Sequence, residues 1–130
     1  MNDHHSHIEQ ETVDLKGEGL PANLSAPVSS IRVKYGGFPR LVSLANKLAS
    51  NATNVLKLHA GDAVTGTSYY SLFKGKSDAE MMSRMCFDAF ALGNHEFDDG
   101  PEVLRGFMDA VDFPVLMSNA DFSAEPALAD

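Results

Sequence analysis

Apolar positions recur along this chain at two spacings, and the switches between them mark out its elements. From 36 to 50, Leu41, Leu44, Ala45 and Leu48 fall at i, i+3, i+4 and i+7, the spacing of an amphipathic helix, with Pro39 in its first turn. Val55-Leu56-Lys57-Leu58 reads as a short strand running into Gly61-Asp62. Tyr69 to Phe73 suits a helical turn. Ser77 and Glu80 have capping-box spacing for a helix through Met85, whose apolar side is Met81, Met82 and Met85. A methionine stripe at that spacing is read as core. Phe87 to Leu92 is a second short apolar run, ending at Gly93-Asn94-His95. Pro101 occupies a first helical position, with Val103, Leu104, Phe107 and Val111 facing inward, and Phe113 to Met117 is a third strand.

Strand, loop and helix in alternation predict an α/β fold with a largely parallel sheet and crossover helices. The ligand crevice of such a sheet lies outside the carboxyl ends of its strands. Asp62 and Asn94 both follow strands and fall there. Residues 9–30, polar and interrupted by Gly17, Gly19, Pro21 and Pro27, are expected to form a long surface excursion. Nothing repeats internally.

Composition narrows the function without choosing it. With 130 residues the chain is one domain or part of one, and 44% apolar content is ordinary for a globular protein. No window approaches the roughly 18 apolar residues of a membrane-crossing helix, and no signal peptide is visible. The net charge of −8, from 18 acidic and 10 basic residues, repels nucleic acid and phosphate esters at long range. A phosphate-handling site here needs local positive charge, which bound divalent cations supply. Cys86 is the only cysteine, so it forms no disulfide within the segment; between Met85 and Phe87 it is read as a small buried hydrophobe.

The candidate chemistry lies in three polar groups: Asp3-x-His5, Gly61-Asp62 and Gly93-Asn94-His95-Glu96. Asp and His mixed with a neutral Asn oxygen suit Mn, Zn, Co or Fe rather than an all-oxygen calcium cage. On an extended stretch, Asp3 and His5 would point the same way. Asp62 has two carboxylate oxygens with which to bridge two ions, and two-metal hydrolases hold their ions about 3.5–4 Å apart. Each group alone also suits a turn or a solvated tail; their order and placement at strand ends make the metal reading the stronger one.

Asn2-Asp3-His4-His5-Ser6-His7, Ala60 to Thr67 and Gly93-Asn94-His95-Glu96-Phe97-Asp98 resemble the calcineurin-like metallophosphoesterases, and more closely the 5′-nucleotidase and UDP-sugar hydrolase branch. Gly36 to Leu41 and Tyr69-Tyr70 fit that branch as well. The resemblance implies a β-sandwich flanked by helices, with βαβ units. It implies two divalent metal ions, with Asp3 and His5 on the first, Asp62 bridging both, and Asn94 on the second while also lining the substrate site. His95 would face the substrate phosphate, stabilising charge or protonating the leaving oxygen, and Asp98 would hydrogen-bond His95 and raise its pKa. The reaction implied is attack of a metal-bound hydroxide on the phosphorus of a 5′-nucleotide or nucleotide-sugar. It also implies an extracytoplasmic location, whether periplasmic, secreted or surface-anchored, and no nucleic-acid partner. Glu96 is expected to hydrogen-bond the loop presenting Asn94, His4 to pack, and His59 to cap its strand rather than ligate. His7 is either near the His5 region or solvent-exposed. Gly61, Gly66 and Gly93 are expected to allow close backbone approach.

Residues 1–130 then read as the N-terminal portion of a catalytic domain, without its first strand, its C-terminal half or a substrate-binding domain. The same residues are compatible with hydrolysis of cyclic nucleotides or a sulfur ester, and with a catalytically silent metal-binding domain of the same fold. Asp3, His5, Asp62 and Asn94 alone under-coordinate two ions. The isolated 130-residue product is therefore expected to bind metal weakly and show little or no turnover. An assay with Mn(II) and a nucleotide substrate checks this, and robust metal-dependent phosphatase activity contradicts it.

Overall fold

The computed structural model describes residues 1–17, 20, 23 and 29–129. In chain order the elements are β1 (Glu11–Lys16), β2 (Ser30–Tyr35), α1 (Phe38–Ala49), β3 (Leu58–His59), α2 (Ser68–Phe73), α3 (Lys76–Met85), β4 (Ala89–Ala91), α4 (Pro101–Met108) and β5 (Val115–Leu116). A single 3₁₀ turn, His95–Phe97, follows β4. β3, β4 and β5 pair in parallel in that order, with His59 opposite Phe90 and Phe90 opposite Val115. Helices α2 and α3 connect β3 to β4, and α4 connects β4 to β5. This is the α/β class with βαβ units that the sequence predicts, although the strands are shorter than the apolar runs containing them.

The core gathers under this sheet. Phe90 is fully buried, with its ring 5.1 Å from His59, 5.7 Å from Phe107 and 6.4 Å from Phe113. Met82 and Met85 of α3 and Leu104 and Phe107 of α4 close over it, so the methionine stripe is core. The α1 face is less covered than its periodicity suggests. Leu44 is 53% and Leu48 65% exposed, and with Leu56, Leu58 and Met1 they line an open apolar groove beside β3. Along that edge the amino group of Met1 donates to the Leu58 carbonyl at 2.9 Å, and the Ala60 N–H donates to the Met1 carbonyl at 2.9 Å. No helix among the described residues is long and apolar enough to cross a membrane.

Three sequence expectations give way here. Residues 9–30 are not simply an excursion: β1 pairs antiparallel with β2, placing Val13 opposite Val33 and Leu15 opposite Ile31. Alternation at period two, which puts these residues on one face, outweighs the turn-formers nearby. Of those, Gly19, Pro21 and Pro27 lie outside the described residues, and Gly17 follows β1 directly. The Ser77 capping box does not form. Gly75, at φ 83°, is the residue before α3, so Ser77 is already inside the helix. Its hydroxyl is buried without a partner among the described residues, and Glu80 instead pairs with Arg84 at 2.8 Å. Cys86 is exposed rather than buried, because α3 ends there in a left-handed turn (φ 54°).

Candidate metal centre

The Asp3-x-His5 segment reaches its place by a turn, not by the extended stretch expected. Asp3, His5 and Ser6 have φ of 50°, 44° and 54°, in the left-handed region that non-glycine residues rarely enter. Hydrogen bonds impose the shape. The N–H groups of Asp3, His5 and Ser6 donate to the carbonyls of Gly61, Asp62 and Ala63 at 3.0, 3.2 and 2.9 Å. The N-terminal loop is thereby moulded onto the turn after β3. Asp62 is itself left-handed, at φ 55°.

Glu96 joins that turn to the one after β4. Its buried carboxylate accepts from the N–H groups of Asp62 at 3.0 Å, Ala63 at 2.8 Å and Gly93 at 2.6 Å. The expected role of Glu96 in holding the loop that presents Asn94 is met, and it holds the Asp62 turn as well. Glycine at 61 and 93 permits the approach. A Cβ at Gly61 would lie 2.4 Å from the Gly93 nitrogen, and one at Gly93 would lie 2.3 Å from Asp62 Oδ1. A Cβ at Gly66 would lie 2.8 Å from the His5 carbonyl oxygen, so all three expected close approaches are present.

These constraints bring donors together. One ligand atom each from His5, Asp62 and His95 falls within 4.8 Å of the others. The His5 and His95 rings meet edge to face at 5.1 Å. His5 Nδ1 lies 3.3 Å from the Val64 carbonyl, which can only accept, so that nitrogen carries the proton. His5 Nε2 is left with a free lone pair for a cation, 3.8 Å from Asp3 Oδ1. This is how histidine ligands are commonly prepared, the second ring nitrogen anchored and the first free. Asp62 Oδ1 accepts from the His95 backbone N–H at 3.0 Å. A donor set of two imidazoles and one carboxylate at this spacing fits a borderline divalent cation.

The expected His95–Asp98 hydrogen bond is present, Nδ1 to Oδ2 at 2.7 Å. It holds the His95 pKa above the ordinary imidazole value, with the charges of Asp98, Asp62 and Glu96 adding and partial desolvation opposing. Asn94 is the exposed residue before the 3₁₀ turn, adjoining His95 on the loop that Glu96 holds through Gly93. His7 is exposed and pairs with Glu11 at 2.5 Å. His4 packs, edge to face against Phe38 at 5.1 Å. His59 is buried beneath the turn and accepts from the Gly61 N–H at 3.2 Å; burial, then His4, pushes its pKa down to about 3. Asp78, fully buried on α3, bonds both His4 and Ser6 and was missed by sequence reasoning. Its partners lie 72 and 74 positions away, and a polar residue in the first turn of a helix gives no hint of them.

Residues 1–130 match calcineurin-like phosphoesterase across the whole segment. The chain belongs to the calcineurin-like phosphoesterase family. A probable 5′-nucleotidase of Treponema pallidum (strain Nichols) is 43% identical over 119 residues, covering 92% of this chain and 18% of that protein. The NAD 5′-nucleotidase of Haemophilus influenzae is 40% identical over 121 residues, again 92% of this chain and 18% of the relative. Among solved structures, a 5′-nucleotidase precursor from Thermus thermophilus superposes with a TM-score of 0.81 at 38% identity, over 98% of this chain and 22% of that one. The chain thus spans about a fifth of the length of the relatives it matches.

Within this phosphoesterase segment, Glu96→Ala leaves three backbone N–H groups without their acceptor. Each such loss costs about 1–3 kcal/mol when buried, so a total on the order of 3 kcal/mol or more is expected in denaturant unfolding. A change under about 0.5 kcal/mol, the scale of a neutral surface substitution, would remove Glu96 from this role. The Asp98 bond makes a separate prediction for the metal-free protein. A raised histidine pKa means stabilisation that is full below the ordinary value of 6.5 and lost as pH climbs through the folded value. Asp98→Asn should move the His95 midpoint back down toward 6.5 in an NMR titration. An unmoved midpoint would show that another group sets it.

Proposed function

We propose that this segment is the N-terminal portion of a divalent-metal-dependent phosphoesterase that hydrolyses 5′-nucleotides or nucleotide-sugars. The convergence of His5, Asp62 and His95 carries this reading, because two of the three are imidazoles whose other nitrogen is already engaged. The names of the relatives, a 5′-nucleotidase and an NAD 5′-nucleotidase, support a nucleotide as the substrate. Family resemblance supports an extracytoplasmic location.

In this reading Asp3 and His5 would hold one divalent cation and Asn94 a second, with Asp62 shared between them. Bound divalent cations supply Lewis acidity: they neutralise phosphate charge and make nearby water more acidic. The chain's own residues do the rest. His95 Nε2, freed by the Asp98 bond on Nδ1, faces the phosphate and donates a proton or a hydrogen bond to the leaving oxygen. Asp98 keeps that tautomer and favours the protonated ring, which suits a donor near neutral pH. Glu96 and the glycine contacts hold the Asp62 and Asn94 turns without touching substrate. The excess of acidic residues makes the cations necessary for an anionic substrate to approach.

Geometry alone groups His95 with the metal donors, whereas family resemblance gives it the phosphate. Replacing His95 with Ala in the full-length metal-loaded protein separates the two. The expected outcome is a fall in kcat of roughly a hundredfold or more, the scale for a general acid or oxyanion donor, with bound metal unchanged. Metal lost together with activity would make His95 a ligand instead. A full-length wild-type protein that retains metal but hydrolyses no nucleotide or nucleotide-sugar would favour the catalytically silent binding domain.

A further inference from the structure

Behind the metal donors, His59, His4, Asp78 and Ser6 form a buried polar chain that no step above uses. His59 Nε2 lies 3.1 Å from His4 Nδ1, His4 Nε2 lies 3.1 Å from Asp78 Oδ1, and the Ser6 hydroxyl donates to Asp78 Oδ2 at 3.0 Å. All four residues are less than 9% exposed. The direction of every bond follows from one end. The Gly61 N–H can only donate, so His59 Nδ1 must accept it. A neutral ring then carries its proton on Nε2 and donates to His4 Nδ1. His4 in turn carries its proton on Nε2 and donates to Asp78. A second proton on either ring would set two N–H groups against each other, at Gly61 or between the rings. One arrangement satisfies both rings and both carboxylate oxygens, and it is the only one that does.

The chain's attachment points are the functional loops. His4 stands between Asp3 and His5, Ser6 follows His5, and Gly61 adjoins Asp62. Asp3, His5, Ser6 and Asp62 are all left-handed, a costly conformation for a non-glycine residue that persists only where its surroundings over-determine it. We propose that the His59–His4–Asp78–Ser6 relay is a positioning device for the metal centre, anchored by Asp78 on α3, which locks both ligand loops in their bound shape. The inference rests on the metal-centre reading above. His59 and Asp78 are positioning residues: they act on the donors through the backbone of the two loops.

The test uses the full-length protein with Mn(II) alone as the probe. In the metal-free protein, long-range proton–nitrogen NMR correlations should show His4 and His59 both as Nε2–H tautomers; an Nδ1–H tautomer on either ring overturns the relay. By calorimetry, His59→Phe, which keeps a ring but removes both bonds, should weaken Mn(II) binding about tenfold or more, the usual scale for outer partners of metal ligands. Asp78→Leu should do the same. Asp78→Asn should recover most of the affinity, since its oxygen still accepts from His4 and its amide can donate to Ser6. Folded His59→Phe or Asp78→Leu with wild-type affinity overturns the proposal, as does a loss that Asp78→Asn fails to recover. Should Asp78→Leu not fold, the His59→Phe affinity and the tautomer spectra decide. Wild-type protein that binds no Mn(II) removes the metal-centre reading and the positioning role with it. Wild-type binding undisturbed by His59→Phe removes the positioning role alone.

Discussion

One carboxylate governs the geometry of this molecule. Glu96 receives three backbone N–H groups from two turns that belong to different strands, and it does so while buried. Backbone N–H groups at the ends of short strands have no ladder partner, and burying them unpaired would be costly. A single side chain satisfies three of them and fixes the separation of the turns at the same time. Asp62, His95 and Asn94 all take their positions from these two turns. Charge-assisted bonds to backbone are among the stronger hydrogen bonds available, which suits a constraint that must hold several left-handed residues in place.

The first loop then follows from the second. Its N–H groups read the carbonyls of residues 61–63 one after another, so its shape copies a turn that Glu96 has already set. Glycine at 61 and 93 is the steric condition for all of it, because a methyl group at either would overlap backbone or the Asp62 carboxylate. What looks in the sequence like a Gly-Asp and a Gly-Asn signature is thus, physically, two backbones in contact.

Much of this is legible in the sequence. The helices α1 and α4 follow from i, i+3, i+4 spacing with Pro39 and Pro101 at their starts, and the parallel order of β3, β4 and β5 follows from their alternation with helices. The bond between His95 and Asp98 is local, three residues apart, and local patterns are visible in sequence. Other features are hidden, each for a physical reason. The β1–β2 hairpin has only six residues per strand, and glycine and proline around it masked its alternation. Ser77 and Glu80 have the spacing of a cap, but the left-handed glycine two residues earlier starts the helix first. The left-handed turns at Asp3 and His5 depend on hydrogen bonds to a distant segment, which no local pattern reports.

Distance along the chain has a consequence for how the site comes into being. His5 meets Val64 across 59 positions, and Glu96 meets Asp62 across 34. Closing such loops carries an entropic cost that is met before any contact rewards it, so contacts of this kind form with the global fold and not ahead of it. No short peptide cut from this chain would hold the Asp3, Asp62 or His95 side chain in its working pose. The centre is a property of the assembled chain, and it comes and goes with cooperative folding.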